Sequence, residues 1–166
     1  MVAMPETRMR DMRPEEYEPY TREREQDTVD SLLGVLAPEE AAAEARRGTL
    51  RFLPEGLATP GHRLLVAESA EGSAVGWAWL GLTDPRTGST ESAYLYDIRV
   101  TPEHRRHGYA TAMLDAVEAI ARRAGARRLG LNVFGPNHEA IALYTGRGYT
   151  VTTQQMAKDL TADPAT

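Results

Sequence analysis

The sequence predicts a single α+β domain, and three observations along the chain lead to that fold class. Residues 95–111 read as an apolar strand that passes through a Pro-containing turn and a glycine into a helix. Residues 63–68 and 74–82 are two apolar runs separated by Glu-Gly-Ser, the pattern of a β-hairpin. Residues 110–124 repeat small and apolar side chains at helical spacing. Strands and helices therefore alternate within 166 residues, a length that suits one domain with its own core.

Composition narrows the class of protein. Hydrophobic residues make up 42% of the chain and charged residues 26%, which is typical of a soluble globular protein. No apolar run approaches a membrane span and residues 1–10 are too charged for a secretory signal, so we expect a cytoplasmic protein without a membrane partner. The absence of cysteine excludes disulfides and a cysteine nucleophile, and no histidine pattern suggests a metal. The net charge of −5 argues against nucleic-acid binding.

The N-terminal third is predicted to hold one short strand and two helices. Residues 6–12 have a weak strand pattern, and the pattern of residues 14–36 is helical. Pro19 is expected to break or kink this helix early, because proline removes a backbone donor. A second helix opens at Pro38 and is expected to end at Gly48.

The strand at residues 95–100 has an irregular apolar pattern. Ile98 and Val100 alternate as in an ordinary strand, but Leu95 is out of step with them. A β-bulge would produce such a one-residue slip and would splay the strand from its neighbour. Alternatively, Leu95 faces the other side of a sheet that is buried on both faces.

The remaining elements follow from turn and cap residues. Gly125 ends the long helix, and residues 127–134 read as a strand. Asn137 is placed as the N-cap of a helix that runs from residue 138 to about residue 147. Residues 149–156 are predicted to form a final strand.

The junction between strand and helix has the chemistry of a pyrophosphate cradle. A helix N-terminus leaves backbone N–H groups unpaired, and the helix dipole favours an anion beside them. Gly108 lets the backbone approach a bulky anion where a Cβ would interfere. Arg105, Arg106 and His107 add positive charge and hydrogen-bond donors around the same point.

These residues resemble a known family. Arg105-Arg106-His107-Gly108-Tyr109-Ala110 fits the pattern Gln/Arg-x-x-Gly-x-Gly/Ala of acetyl-CoA binding in the GNAT N-acetyltransferase superfamily. Further segments match in order: Ile98-Arg99-Val100-Thr101-Pro102-Glu103 before the pattern, then Leu131-Asn132-Val133, Asn137-x-x-Ala140-x-x-Leu143-Tyr144, Gly148-Tyr149 and 156–160. Ala110 stands where glycine is frequent and Tyr149 where phenylalanine is usual, and both changes are conservative. Residues 1–60 match in element order only.

The resemblance implies a GNAT-like fold. Its centre would be a mixed, mostly antiparallel twisted sheet of about six to seven strands, with helices on both faces in three α/β layers and a V-shaped splay at the fourth strand. It also implies one N-acetyltransferase domain over residues 1–160, with the signature half at 92–160 and a C-terminal tail at 161–166.

The implied activity is transfer of an acetyl group from acetyl-CoA to a primary amine, directly and within a ternary complex. A non-catalytic sensor domain that binds CoA or acyl-CoA is the alternative. The cofactor-binding residues implied are the following: Ile98, Arg99, Val100, Arg105, Arg106, His107, Gly108, Tyr109, Ala110, Thr111, Asn137 and Tyr144. Asn137 could instead serve only as an N-cap.

Two residues are the catalytic candidates. Tyr144 is the candidate general acid, because a phenol with a pKa of about 10 can protonate a thiolate whose thiol pKa is about 8.5 in a concerted step. A core aromatic on an apolar helix face is the alternative. Asp97 is the first candidate for the base, since it lies in the region of the suspected bulge; Tyr96 or a water chain could serve instead. Asp97 could equally hydrogen-bond local backbone.

The acceptor amine is left open: a small molecule, a protein N-terminus or a lysine side chain. Residues 1–48 carry 12 acidic and 7 basic side chains, which favours a cationic acceptor or simply reflects solvated helix faces. Trp77 and Trp79 share one strand face and line either the acceptor pocket or the core. Homodimers are common in the family, but no segment identifies an interface.

Overall fold

The computed structural model describes residues 4–161 and divides the chain into two compact units, Met1–Asn132 and Val133–Thr166. The first unit contains one five-stranded sheet in the order of the sequence. The first four strands pair with one another in antiparallel order, and the fifth strand pairs with the fourth in parallel. The strands are β1 (Thr7–Asp11), β2 (His62–Ser69), β3 (Ala74–Gly81), β4 (Ser92–Val100) and β5 (Arg128–Leu131).

Helices cover both faces of this sheet. They are α1 (Pro14–Leu32), α2 (Pro38–Phe52) and α3 (Tyr109–Arg123), and the second unit holds α4 (His138–Gly146). Strand β2 shows how the two cores are divided: Leu64 and Val66 join Tyr20 of α1 on one face, whereas Ala67 joins Met113 of α3 on the other. The three-layer arrangement expected for a GNAT-like fold is confirmed.

A β-bulge interrupts the pairing of β3 with β4. Trp79 lies opposite Asp97 and Leu80 lies opposite Leu95, so Tyr96 is an extra residue on β4. The bulge predicted from the sequence is confirmed, and it explains why Leu95 is out of step with the later apolar residues of the strand. The extra residue restores the phase. Leu95 lies opposite Leu80, whose neighbour Trp79 is on the α1 face, so the register places the buried Leu95 side chain on the α3 face, where Ile98 also lies.

The splay expected at the fourth strand follows directly after the bulge. β5 pairs with β4 only over the four residues from Ser92 to Leu95, the last pair being Leu95 with Leu131. β4 continues to Val100 with β3 on its other edge. Within the described part of the chain, residues 96–100 thus have no ladder partner on the β5 side. On that edge the Val100 carbonyl accepts a hydrogen bond from Arg105, and the groups without such a bond can pair with a ligand.

Two helices extend past residues that were expected to break or end them. Helix α1 continues through Pro19, although proline removes one backbone donor, because burial of neighbouring Tyr20 offsets that loss. Helix α2 runs through Gly48 to Phe52, because Thr49 and Leu53 are buried and hold the last turn against the core. A glycine within a helix costs only about 1 kcal/mol, which such burial outweighs.

The strand predictions were too generous near the C-terminus. The predicted strand at 127–134 is shortened to Arg128–Leu131, which matches the length of its pairing with β4. The final strand predicted at 149–156 is not formed: residues 149–160 have no regular secondary structure, and residues 151–160 are exposed. A β-branched sequence favours extended backbone, but a strand also needs a ladder partner. The described residues therefore contain five strands rather than six or seven.

Candidate active site

The predicted pyrophosphate cradle lies where β4 ends and α3 begins. The Thr101 N–H donates to the Val75 carbonyl at 2.9 Å, which ties the strand end to β3. One turn of 3₁₀-helix, Pro102–His104, follows. Gly108 is the N-cap of α3 with φ +86°, a left-handed conformation that favours glycine. A Cβ at Gly108 would also lie 3.1 Å from Cδ of Pro5.

The helix end of the cradle is open to solvent. The first hydrogen bond within α3 joins the Ala112 N–H to the Gly108 carbonyl at 3.1 Å. The N–H groups of the three residues before Ala112 therefore point out of the helix end with the positive end of its dipole. Arg105, Arg106 and His107 are exposed beside them. This arrangement can bind an anionic group.

A histidine that sequence reasoning left unplaced braces the cradle. Nδ1 of His104 lies 2.7 Å from the hydroxyl of Thr101, and its ring meets Tyr109 edge to face at 5.8 Å. Arg105 is anchored as well, because its Nε donates to the Val100 carbonyl at 3.2 Å. Thr101 and His104 are three positions apart on either side of Pro102, and this spacing is the signal in the sequence that could have identified their contact.

Asp97 lies on the sheet face that carries α1 and α2. The hydroxyl of Tyr20, on α1, donates to its Oδ2 at 3.1 Å. Burial raises the pKa of Asp97, while Arg99, Arg24 and the hydrogen bond from Tyr20 oppose that rise. A carboxylate with a raised pKa is a stronger base. Its hydrogen-bond partner is a side chain of α1 rather than local backbone.

Arg99 connects β4 to the same helix. Its guanidinium pairs with Glu23 at 2.9 Å and with Asp27. The Arg24 guanidinium lies 4.6 Å from the ring centroid of Trp79, a cation–π contact. The Arg99 side chain thus turns towards α1, and its predicted role in cofactor binding stays a prediction.

Aromatic side chains surround the bulge and form what we call the aromatic cluster: Phe52, His62, Trp79, Tyr94 and Tyr96. Tyr96 stacks on Trp79 with centroids 4.5 Å apart. Gly81 makes room for this ring, because a Cβ there would lie 2.7 Å from Cε2 of Tyr96. Trp79 was expected to line either the acceptor pocket or the core. It is fully buried and lies in the core.

His62 is held in one tautomer within the aromatic cluster. The indole N–H of Trp79 donates to its Nδ1 at 2.9 Å, so the neutral ring carries its proton on Nε2. Burial lowers the pKa of His62 and keeps the ring neutral. Sequence reasoning also missed this residue, because its partner lies 17 positions away.

The second unit holds the other two predicted site residues. Asn137 caps α4, its Oδ1 accepting the Ala140 N–H at 3.2 Å, so the predicted N-cap is confirmed. Tyr144 is partly exposed on α4, and its ring centroid lies 5.6 Å from that of Tyr149. The first unit brings together Asp97, the strand residues Ile98 to Val100 and the cradle.

Residues 4–161 hold neither a metal-binding cluster of side chains nor a helix that could cross a membrane. No three His, Asp or Glu side chains come together as a metal-binding group there. None of the helices in that part of the chain combines the length and apolar character needed to cross a bilayer.

The fold agrees with what comparison with known proteins finds. The model of the acetyltransferase (GNAT) family matches residues 7–149. The chain therefore belongs to the GNAT family, and it is an N-acetyltransferase.

Individual relatives give the same class of protein. The chain is 35% identical over 127 residues to the uncharacterized N-acetyltransferase YycN of Bacillus subtilis (strain 168), covering 76% of this chain and 80% of YycN. The crystal structure of YycN superimposes with a TM-score of 0.85 at 30% identity, over 93% of this chain and 99% of that one. The aminoglycoside N-acetyltransferase AAC(6')-Iy in complex with CoA, at 19% identity and a TM-score of 0.61, shares the fold over 96% of this chain and 97% of its own.

Proposed function

We propose that the protein transfers the acetyl group of acetyl-CoA to a primary amine, directly and within a ternary complex. The observation that carries this proposal is the continuity of two features on β4. Among residues 4–161, a strand edge without a ladder partner begins at the bulge, and the N-terminal end of α3, beside exposed cationic side chains, follows it at Gly108. A ligand with an amide-containing arm and a pyrophosphate would occupy both.

The cradle would hold the pyrophosphate. The N–H groups of Tyr109, Ala110 and Thr111, with Arg105 and His107, supply donors and positive charge. The backbone of Ile98 and Val100 would pair with the amides of the pantetheine arm as if a further strand were added to the sheet. Asn137, in the second unit, is proposed to contact the same arm.

Asp97 is proposed to accept the proton of the amine. An alkylammonium with a pKa near 10.4 must lose its proton before attack, which costs about 4–5 kcal/mol at pH 7. The raised pKa of Asp97 lies closer to the pKa of the amine than that of an ordinary carboxylate, so transfer of the proton between them is less uphill. This supports Asp97 over Tyr96, whose phenol pKa is raised by burial. Tyr96 acts as a base only as phenolate, which burial disfavours.

Tyr144 is proposed to complete the reaction as general acid. The amine nitrogen attacks the thioester carbonyl, a C–N bond forms, and the C–S bond breaks. Asp97 takes the ammonium proton before attack. The leaving thiolate takes the phenolic proton of Tyr144, and the second N–H proton, released as the amide forms, passes through solvent to restore the phenol. The acidic excess of residues 1–48, with 12 acidic and 7 basic side chains, supports a cationic acceptor amine, either a small molecule or a peptide amine.

The decisive experiment follows thiol release from acetyl-CoA with a thiol reagent, across a panel of amines and peptides. The protein has no cysteine, so the background is low. Tyr144→Phe should abolish most turnover while CoA binding persists, and Tyr149→Phe is the matched control on the neighbouring ring. Turnover unchanged in Tyr144→Phe would remove Tyr144 from the mechanism, and failure to bind CoA would overturn the proposal.

A further inference from the structure

We infer that Tyr20 of α1 is a positioning residue for Asp97, fixing one carboxylate oxygen through a hydrogen bond that crosses from the helix to the bulged strand. This inference rests on the proposed role of Asp97 as the base. Nothing in the reaction itself requires a phenol at this place.

The geometry of Tyr20 suits this role. Only 2% of its surface is exposed, and it packs in the core cluster with Leu64, Val66 and Trp79. Its ring also meets Trp77 edge to face at 6.0 Å. A ring packed on so many sides has little freedom, so its hydroxyl is delivered to Oδ2 of Asp97 from a constant direction, at 3.1 Å.

Charged groups surround Asp97, but Tyr20 is the side chain that hydrogen-bonds its carboxylate and so fixes the orientation of that carboxylate. From α1 they are Arg24 and Asp27, and from its own strand Arg99. On β3 the residue opposite Asp97 is Trp79, which does not ionise. Arg99 is engaged by Asp27 and a second α1 carboxylate, and Arg24 lies over the Trp79 ring. These cations act on Asp97 through their field, whereas the hydroxyl of Tyr20 binds a particular oxygen.

The bond has two chemical consequences. With Oδ2 occupied by the Tyr20 hydroxyl, Oδ1 is the oxygen left to accept the proton of the amine. The bond also favours the charged carboxylate and so lowers the pKa of Asp97 against the effect of burial. Tyr20 itself stays protonated, since burial holds its pKa well above the usual value. It therefore remains a donor across the working pH range.

The test is the pH profile of kcat/KM for Tyr20→Phe. Loss of the hydroxyl should lower kcat about ten-fold with KM for acetyl-CoA unchanged, and the acid limb should move to higher pH because Asp97 then binds its proton more tightly. Tyr17→Phe is the matched control: Tyr17 packs on the same core cluster from the same helix but makes no hydrogen bond to Asp97. It should leave the profile in place.

A double-variant cycle separates the two proposals. In an Asp97→Asn background, Tyr20→Phe should cause little further loss. A loss equal to that in the wild-type background would overturn the inference while leaving Asp97 as base. Full activity of Asp97→Asn alone would overturn the proposed base, and the inference with it.

If the Tyr20→Phe variant fails to fold, a substitution that conserves the shape of the ring tests the same inference. A 3,5-difluorotyrosine at position 20 keeps the ring and makes the phenol a stronger donor. The acid limb should then move to lower pH, opposite to the shift expected for phenylalanine. An acid limb unmoved by fluorination would overturn the role of Tyr20.

Discussion

The hydrogen bond between Trp79 and His62 makes one side chain in the aromatic cluster sensitive to acid. The neutral imidazole accepts the indole proton on Nδ1. When His62 is protonated, both ring nitrogens carry protons and the acceptor is lost. Burial lowers the pKa of His62 in the folded protein below 6.5, so the unfolded chain takes up this proton first as the pH falls.

We therefore predict that the contribution of His62 to stability is complete above about pH 6.5 and is lost on acidification through its lower folded pKa. His62→Gln removes the titration and can still offer an oxygen to Trp79. The free energy of unfolding, measured by urea titration at several pH values, should fall less steeply between about pH 6.5 and 5 in this variant. Identical slopes for variant and wild type would contradict the prediction.

The sequence predicted the cradle but not the hydrogen bond between Tyr20 and Asp97. The cradle was predictable because its residues are consecutive and each has a local chemical reason to be there. The contact between Tyr20 and Asp97 was not, because it joins positions 77 apart. Such a contact depends on the way α1 crosses the sheet, and no local pattern of side chains records that crossing.

Among the elements, α1 depends on its ion pairs with β4. The Arg99 side chain is 17% exposed and pairs with two carboxylates of α1, Glu23 and Asp27. By contrast, the pair of Arg22 with Glu18 lies on the surface of the same helix, where both side chains are more than three-quarters exposed. Exposed pairs of this kind contribute little, because solvent screens them and both side chains lose entropy.

We predict that Arg99→Met destabilises the protein by about 1–3 kcal/mol, since it removes two charge-assisted bonds between helix and sheet. Arg22→Met on the outer face of α1 should leave the free energy of unfolding unchanged within error. Chemical denaturation monitored by tryptophan fluorescence measures both. Equal effects of the two substitutions would show that the α1–β4 ion pairs are not a stabilising connection.

Elements were predicted best where periodicity was long or where turns were explicit. The β2–β3 hairpin and α3 were found with nearly correct bounds, and the misplaced Leu95 revealed the bulge. Local breakers were overrated: Pro19 and Gly48 interrupt neither helix, because burial of adjacent side chains outweighs a local cost. A strand at 149–156 was predicted from its place after the last helix and from the family resemblance, neither of which supplies a pairing partner.

At the scale of the whole molecule, ligand binding and folding are linked. A ligand that binds only the folded state at 100 times its dissociation constant stabilises that state by about 2.7 kcal/mol. For a chain of this length, this corresponds to a rise in Tm of roughly 5–10 °C. The cradle belongs to the first unit, where its strand end is bonded to β3 of the central sheet.

We predict that CoA raises Tm by that amount, and that Gly108→Val abolishes the rise because it strains a left-handed residue and adds atoms at the cradle. Gly72→Val is the matched control, since Gly72 also has positive φ but nothing lies within 4 Å of its added Cβ. Differential scanning fluorimetry with and without CoA gives both values. A rise retained in Gly108→Val would place the binding site elsewhere.

The extra residue on β4 determines which face of the sheet each side chain of this strand occupies. Tyr96 and Asp97 are consecutive, yet both are on the side of α1 and α2, while Leu95 and Ile98 both belong to the opposite side. Deleting one residue here would exchange inside and outside for half of the strand, whereas replacing the side chain at position 96 would not. The number of residues between Leu95 and Ile98 is therefore fixed more tightly than their identity, and a deletion there could not be repaired by any single substitution nearby.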